Sequence, residues 1–350
     1  MLTMNGNFTR RDFLKYSTLG LGSLAFRSFF GAGEDPEGGD LARVAINSVS
    51  VYSRPSDTST ILYQRKRDEL INIYYEVVSE DGPGYNPLWY RVWRGYIHSA
   101  HLQRVKIHLN QPVAYIREKT YQLAEVSVPL TQTMRYLTYK KSWEPLYRLY
   151  YGSTHWVVGI EPGPDGAPWY RLHDELSEVE YHTPAANLRL IPPKEFDPIS
   201  PDVPAWEKRI EISIAQQSLT AYEQGKVVMK TTVSTGLPDH RNDPAIIPTD
   251  TPTGEYHVYS KMPSKHMGNG QLTADIEAYE LPGVPWTTFF AEHGVAMHGT
   301  YWHTNFGMTM SHGCVNMRTE EAKWIFRWTT PIAEPGTVEQ NGYGTLVVVS

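Results

Sequence analysis

A chain of 350 residues with 41% hydrophobic content holds enough apolar side chain for two or three cores, which excludes a disordered tail. Its formal net charge of −6 argues against a nucleic-acid partner, whose phosphates require a basic surface. With 23 Tyr, 10 Trp, 25 Pro and 27 Gly, it favours short β segments over long helices, so a mainly β fold is expected.

The first 32 residues stand apart. "TRRDFLKYSTLGLGSLAFRSFFGAG" has twin arginines, Arg10 and Arg11, then Phe13, Leu14 and Lys15, then a mildly apolar run. This is the pattern of a twin-arginine export signal, which predicts a cell-wall or periplasmic location. The run from Tyr16 to Phe30 is short and polar for a membrane span. No A-x-A site follows, so cleavage near Ala32 and retention as a membrane tether both stay open. Export also gives the lone cysteine weight: it can form no disulfide within the chain, so outside the cell it is either incidental or reactive.

An acidic linker, residues 33–40, precedes two stretches that resemble one another. "PLWYRVWRGYIHSAHLQRV" and "APWYRLHDELSEVEYHTPAANLRLI" share Pro, Trp-Tyr-Arg, a later Tyr, a His, then Ala and Leu, and each follows a Gly/Pro turn. Turn signals at this spacing predict two small barrels, residues 41–106 and 107–192, which resemble bacterial Src-homology-3-like modules. Trp89, Tyr90, Trp169 and Tyr170 fit either a ligand groove or, more readily, the core of these modules. A Pro-rich connector, residues 193–206, marks the next boundary.

The third domain, residues 207–350, opens with alternating runs around "EQGK", a hairpin signal, and closes with the apolar run "GTLVVVS", suited to a buried strand. Residues 260–285, punctuated by Gly and Pro, read as a long loop of the kind that lids a cleft. Within Met297–Met317 lie three histidines and the single cysteine, Cys314. A thiol that does covalent work needs a base, for which His298 and His312 are candidates, and successive amides in "SHGC" suit an oxyanion.

At these residues the chain resembles the L,D-transpeptidase (YkuD-type) catalytic domain. It supplies His298-Gly299, then after twelve residues Ser311-His312-Gly313-Cys314-Val315-Asn316, together with "LTAYEQGK", "VSTG", "TPTGEY" and "LPGVPW". The resemblance implies that Cys314 attacks the acyl donor, His298 takes its proton, and the Gly299 carbonyl orients the imidazole. It implies an oxyanion hole from the amides of His312, Gly313 and Cys314, and substrate contacts by Ser311, Asn316, Arg318, Tyr279 and Trp286. The implied reaction joins peptidoglycan stem peptides through a thioester, releasing a terminal D-residue, with no cofactor and with carbapenems as acylating inhibitors. Hydrolysis of the same acyl-enzyme is the alternative within the enzyme class, and a catalytically silent wall-binding protein the alternative outside it. An activated Cys314 is expected to have a lowered pKa. A zinc site from His298, His303, His312 and Cys314 is disfavoured, because "HGTYWH" is a poor helix for pairing two rings. A buried structural thiol is the remaining alternative.

Overall fold

The computed structural model describes residues 40–239 and 247–350. The expected export signal and, but for Asp40, the acidic linker lie outside the described residues. Among those described, no helix is long and apolar enough to cross a membrane.

The architecture is mainly β. In the first unit a three-stranded sheet (Leu70–Ile73, Asp40–Val44, Leu102–Val105) faces a five-stranded one (Ile61–Lys66, Ser48–Tyr52, Gly95–His98, Leu88–Val92, Tyr75–Val78) across Val44, Val51, Tyr90 and Leu102. The second unit is one seven-stranded sheet, in order Ser142–Tyr150, Leu130–Leu137, Val179–Pro184, Pro168–Asp174, Thr154–Pro162, Gln122–Val126 and Leu188–Leu190. Among the described residues neither unit closes its hydrogen bonding into a barrel, because the sheets keep free edges.

The sequence repeat has a structural counterpart. In both units two paired strands lead into a 3-10 turn, Ser99–His101 or Ala185–Asn187, and then a short strand. The Gly/Pro turns before the repeats have a packing reason. A Cβ on Gly82 would stand 2.5 Å from the Trp89 indole, and one on Gly163 would stand 2.2 Å from Trp169. Each turn therefore lies flat on a tryptophan. Trp89, Tyr90, Trp169 and Tyr170 are all buried, so they are core residues and not a groove.

The third unit packs two five-stranded sheets. The first runs Lys226–Thr232, Ser218–Glu223, Lys208–Ser213, Leu346–Val349, Gly254–His257; the apolar run near residue 350 is thus an inner strand. The expected turn is Gln224-Gly225, both at positive φ (49° and 77°), which suits a two-residue hairpin. The second sheet runs Val315–Met317, Val295–Gly299, Glu280–Ala291, Ser260–Gly268, Gln340–Asn341. Between the sheets lie Trp286, Phe290, Met297, Val315 and Val347, joined by Ile325 and Phe326 of the helix Thr319–Trp328. Two buried lysines hold the end of that helix: Lys208 donates to Trp328 O at 3.0 Å, and Lys261 to Thr329 O and Pro331 O at 2.9 and 2.7 Å.

The expected lid loop is mostly strand. Ser260–Gly268 and Glu280–Ala291 pair antiparallel from Ser260↔Phe289 to Gly268↔Glu280, leaving residues 269–279 as the connecting loop. Both strands are buried on both faces over much of their length, so no alternation betrays them in sequence.

Candidate active site

His298 and Cys314 are brought together by two parallel strands. Val295–Gly299 and Val315–Met317 pair with Met297↔Val315 and His298↔Asn316 in register, and Cys314 is the residue immediately before the second strand. His298 is 2% exposed, and its Nδ1 lies 3.0 Å from the Gly299 carbonyl. A carbonyl only accepts, so Nδ1 carries the ring hydrogen and Nε2 is the basic nitrogen. Burial depresses the imidazole to about 4, with the Gly299 carbonyl acting in the opposite sense.

Cys314 is half-buried, its Sγ 3.7 Å from Gly294 O. Burial pushes the thiol up to about 11, opposed by a backbone hydrogen bond from Ala296. The expected lowered pKa is therefore corrected in direction: removal from water disfavours both the thiolate and the imidazolium.

The preceding turn is built from its own side chain. Ser311 Oγ donates to Cys314 O and accepts the Gly313 amide at 3.2 Å. Gly313 sits at φ 116°, a conformation that favours glycine, and its carbonyl accepts from Thr251 Oγ1 at 2.8 Å. Around this turn opens a cleft of about 470 Å³, lined by Cys314, His298, His312, Tyr279 and Trp302 and, from the other two units, by Arg43, Arg67 and Arg148.

Residues 207–349 match the YkuD family model, described as the L,D-transpeptidase catalytic domain. This segment is similar to the L,D-transpeptidase catalytic domain. Among solved structures, an L,D-transpeptidase from Xylanimonas cellulosilytica is 23% identical over 42% of this chain and 62% of its own, with a TM-score of 0.29. One from Enterococcus faecium is 25% identical over 41% of this chain and 50% of its own, with a TM-score of 0.29. L,D-transpeptidase 3 from Mycobacterium tuberculosis, in complex with a faropenem-derived adduct, is 20% identical over 49% of this chain and 74% of its own, with a TM-score of 0.31. The chain spans 62% and 50% of the length of the first two. No curated protein matches it.

Within the segment that matches the L,D-transpeptidase model the expected site residues divide. Tyr279 lines the cleft, 56% exposed, its ring edge-on to His312 at 6.2 Å. Ser311 also lines it, although its hydroxyl serves the turn. Trp286 does not reach the cleft: it is 1% exposed and packs against Phe196 and Phe326 at 5.5 and 5.2 Å, so substrate contact is corrected to core packing. Arg318 lies outside the lining, its guanidinium over the Phe306 ring at 4.7 Å and beside Glu321. Asn316 lines the cleft, but its amide contacts His303 Nε2 at 2.8 Å. The other ring nitrogen, His303 Nδ1, accepts the Asn305 backbone amide at 3.1 Å. Of the three amides expected to hold an oxyanion, that of Gly313 is spent on Ser311. Gly299 also has a steric role, since a Cβ there would stand 2.9 Å from both Pro285 Cγ and Thr319 Cα.

Among the described residues, no group of three or more His, Cys, Asp or Glu side chains is placed to hold a metal ion. Two features have no local sequence signal. His266, unassigned from sequence, is buried between Asp174 Oδ2 at 2.7 Å and Glu280 Oε2 at 2.8 Å, while Glu280 accepts the amides of Asn269, Gly270 and Gln271. The arginines of the cleft come from the N-terminal units, more than a hundred residues before Cys314.

Proposed function

We propose that this protein is an exported peptidoglycan L,D-transpeptidase that works through a thioester on Cys314. The observation that carries the reading is the shared cleft, where strand register sets His298 beside the nucleophile's turn and the Gly299 carbonyl commits Nδ1, leaving Nε2 as base. Because both groups rest neutral, proton transfer accompanies attack: the Cys314 proton passes to His298 Nε2 as sulfur bonds to the donor carbonyl. The oxyanion takes the amides of His312 and Cys314. Collapse expels the terminal D-residue, whose amine receives the proton from His298. A side-chain amine of a second stem peptide then attacks the thioester, giving a new amide and restoring the thiol. Tyr279, at the loop edge, shields the cleft, which favours an amine over water.

The test is mass spectrometry of the protein incubated with a disaccharide-tetrapeptide. Wild type is expected to show an acyl adduct on Cys314 and a cross-linked dimer, both absent from Cys314→Ala. Free tripeptide without dimer would favour the hydrolytic alternative. Absence of any adduct would favour the catalytically silent one, a distinction that resting thiol reactivity does not provide. A carbapenem is expected to add its mass to wild type alone.

A further inference from the structure

Asp68 carries the only carboxylate bonded to two arginines that line the cleft, among the described residues. Arg43 Nη1 reaches its Oδ1 at 2.9 Å, and Arg148 Nη1 bonds its Oδ2. Arg43 is 2% exposed and its other donors are used, by Gln103 Oε1 at 3.1 and 2.9 Å and by Tyr301 O at 2.9 Å, with the Tyr150 ring stacked at 4.0 Å. Arg148 differs: its Nε is buried without a partner. Two guanidiniums share one carboxylate, so Asp68 alone balances only one of the two charges bonded to it.

The other lining charges are engaged elsewhere. Arg67 pairs with Glu277 at 3.6 Å, Asp275 accepts the Glu277 amide at 3.0 Å, and Glu280 is taken by His266 and three amides. The Nε of Arg148 is covered, but its side chain is 29% exposed and only Nη1 is given to Asp68, so a carboxylate can meet the guanidinium from the cleft, and such a charge-assisted contact is among the stronger hydrogen bonds.

We infer that Arg148, backed by Arg43, forms a carboxylate subsite contributed by the N-terminal units to the catalytic cleft, where it takes a free carboxylate of the peptide substrate. This rests on the transpeptidase reading for the identity of the peptide, whereas the site itself rests on the two arginines sharing Asp68 and on their place in the cleft lining.

The test uses the full chain carrying Cys314→Ala, so that binding is measured without turnover. Calorimetry compares a stem tetrapeptide having free carboxylates with its C-terminal amide and with the form amidated on its side branch. One amidation is expected to weaken binding about tenfold, identifying which carboxylate is held. Adding Arg148→Gln should erase that difference, and Arg148→Lys should restore part of it. Asp68→Asn, tolerated at the positive φ of 67° where Asn and Asp are both at home, should enlarge it by removing the competing anion. Equal affinities for all three peptides, no binding of any, or an undiminished difference in Arg148→Gln would each overturn the inference. A misfolded variant weakens all peptides alike, and failure of the transpeptidase reading appears separately, as a missing adduct on wild-type Cys314.

Discussion

Trp286 and Tyr279 were equal candidates in sequence, and the fold separates them by seven residues of strand. Trp286 to Ala is expected to cost about 3–5 kcal/mol, seen as a lowered calorimetric midpoint, because it empties a core between Phe196 and Phe326. Tyr279→Ala, on an exposed loop edge, should leave stability within about 1 kcal/mol while slowing acylation of Cys314. Gly299→Ala should lower the midpoint too, since the new Cβ meets the Thr319 backbone, which cannot swing aside. The meeting of His298 and Cys314 in one cleft was legible because both lie in one short motif. Burial was not, since an aromatic on an irregular strand gives no sign of which face is covered. Trp286 itself sits at φ 58°, so the alternation that would reveal its face is broken there.

At the scale of elements, burial among packed strands and their connections leaves three histidines that stay neutral. His298 is held to about 4, and His155 and His303 to about 3, in each case first by burial. The unfolded chain takes up these protons near 6.5, so the unfolded state binds more of them on acidification. Stability is therefore expected to be complete above about pH 6.5 and to fall as pH drops toward 4, each histidine contributing up to about 1.4 kcal/mol per pH unit. Denaturant midpoints between pH 7 and 4.5 measure this; a flat profile would contradict it. His266 has the opposite sign, because Asp174 and Glu280 offset its burial and raise it, so it stays charged in the fold. His266→Leu should consequently destabilise strongly, by about 3–5 kcal/mol, through stranding two carboxylates. The hairpins of the first sheet were readable from alternation and turn residues. The lid hairpin was not, because covering both faces removes the polar half of the pattern.

Across the whole molecule, the first unit meets the turn-bearing crossover between the two parallel strands and the second meets the long hairpin. Thr304 donates to Ala100 O from its amide at 2.9 Å and to Ser99 O from its hydroxyl at 2.8 Å, while Thr154 donates to Pro263 O at 2.7 Å. The repeat and the proline connector are the sequence's marks of separate units, but they say nothing of these junctions, whose partners are 109 to 205 residues apart. Thr304→Val is expected to raise the KM for the donor peptide by severalfold with a smaller change in kcat, because it removes the hydroxyl bonds to Ser99 O and Leu102 O and loosens the crossover on the first unit without touching the thiol.

The likeness of the two N-terminal repeats invites the idea of interchangeable spacers, and the junctions say otherwise. One repeat grips the crossover through carbonyls of its 3-10 turn, whereas the other grips the hairpin through Asp174 and Thr154. Duplicates that began alike have become left and right hands of a single vice. A chimera carrying the same repeat twice would keep its folds and lose its hold on the chemistry.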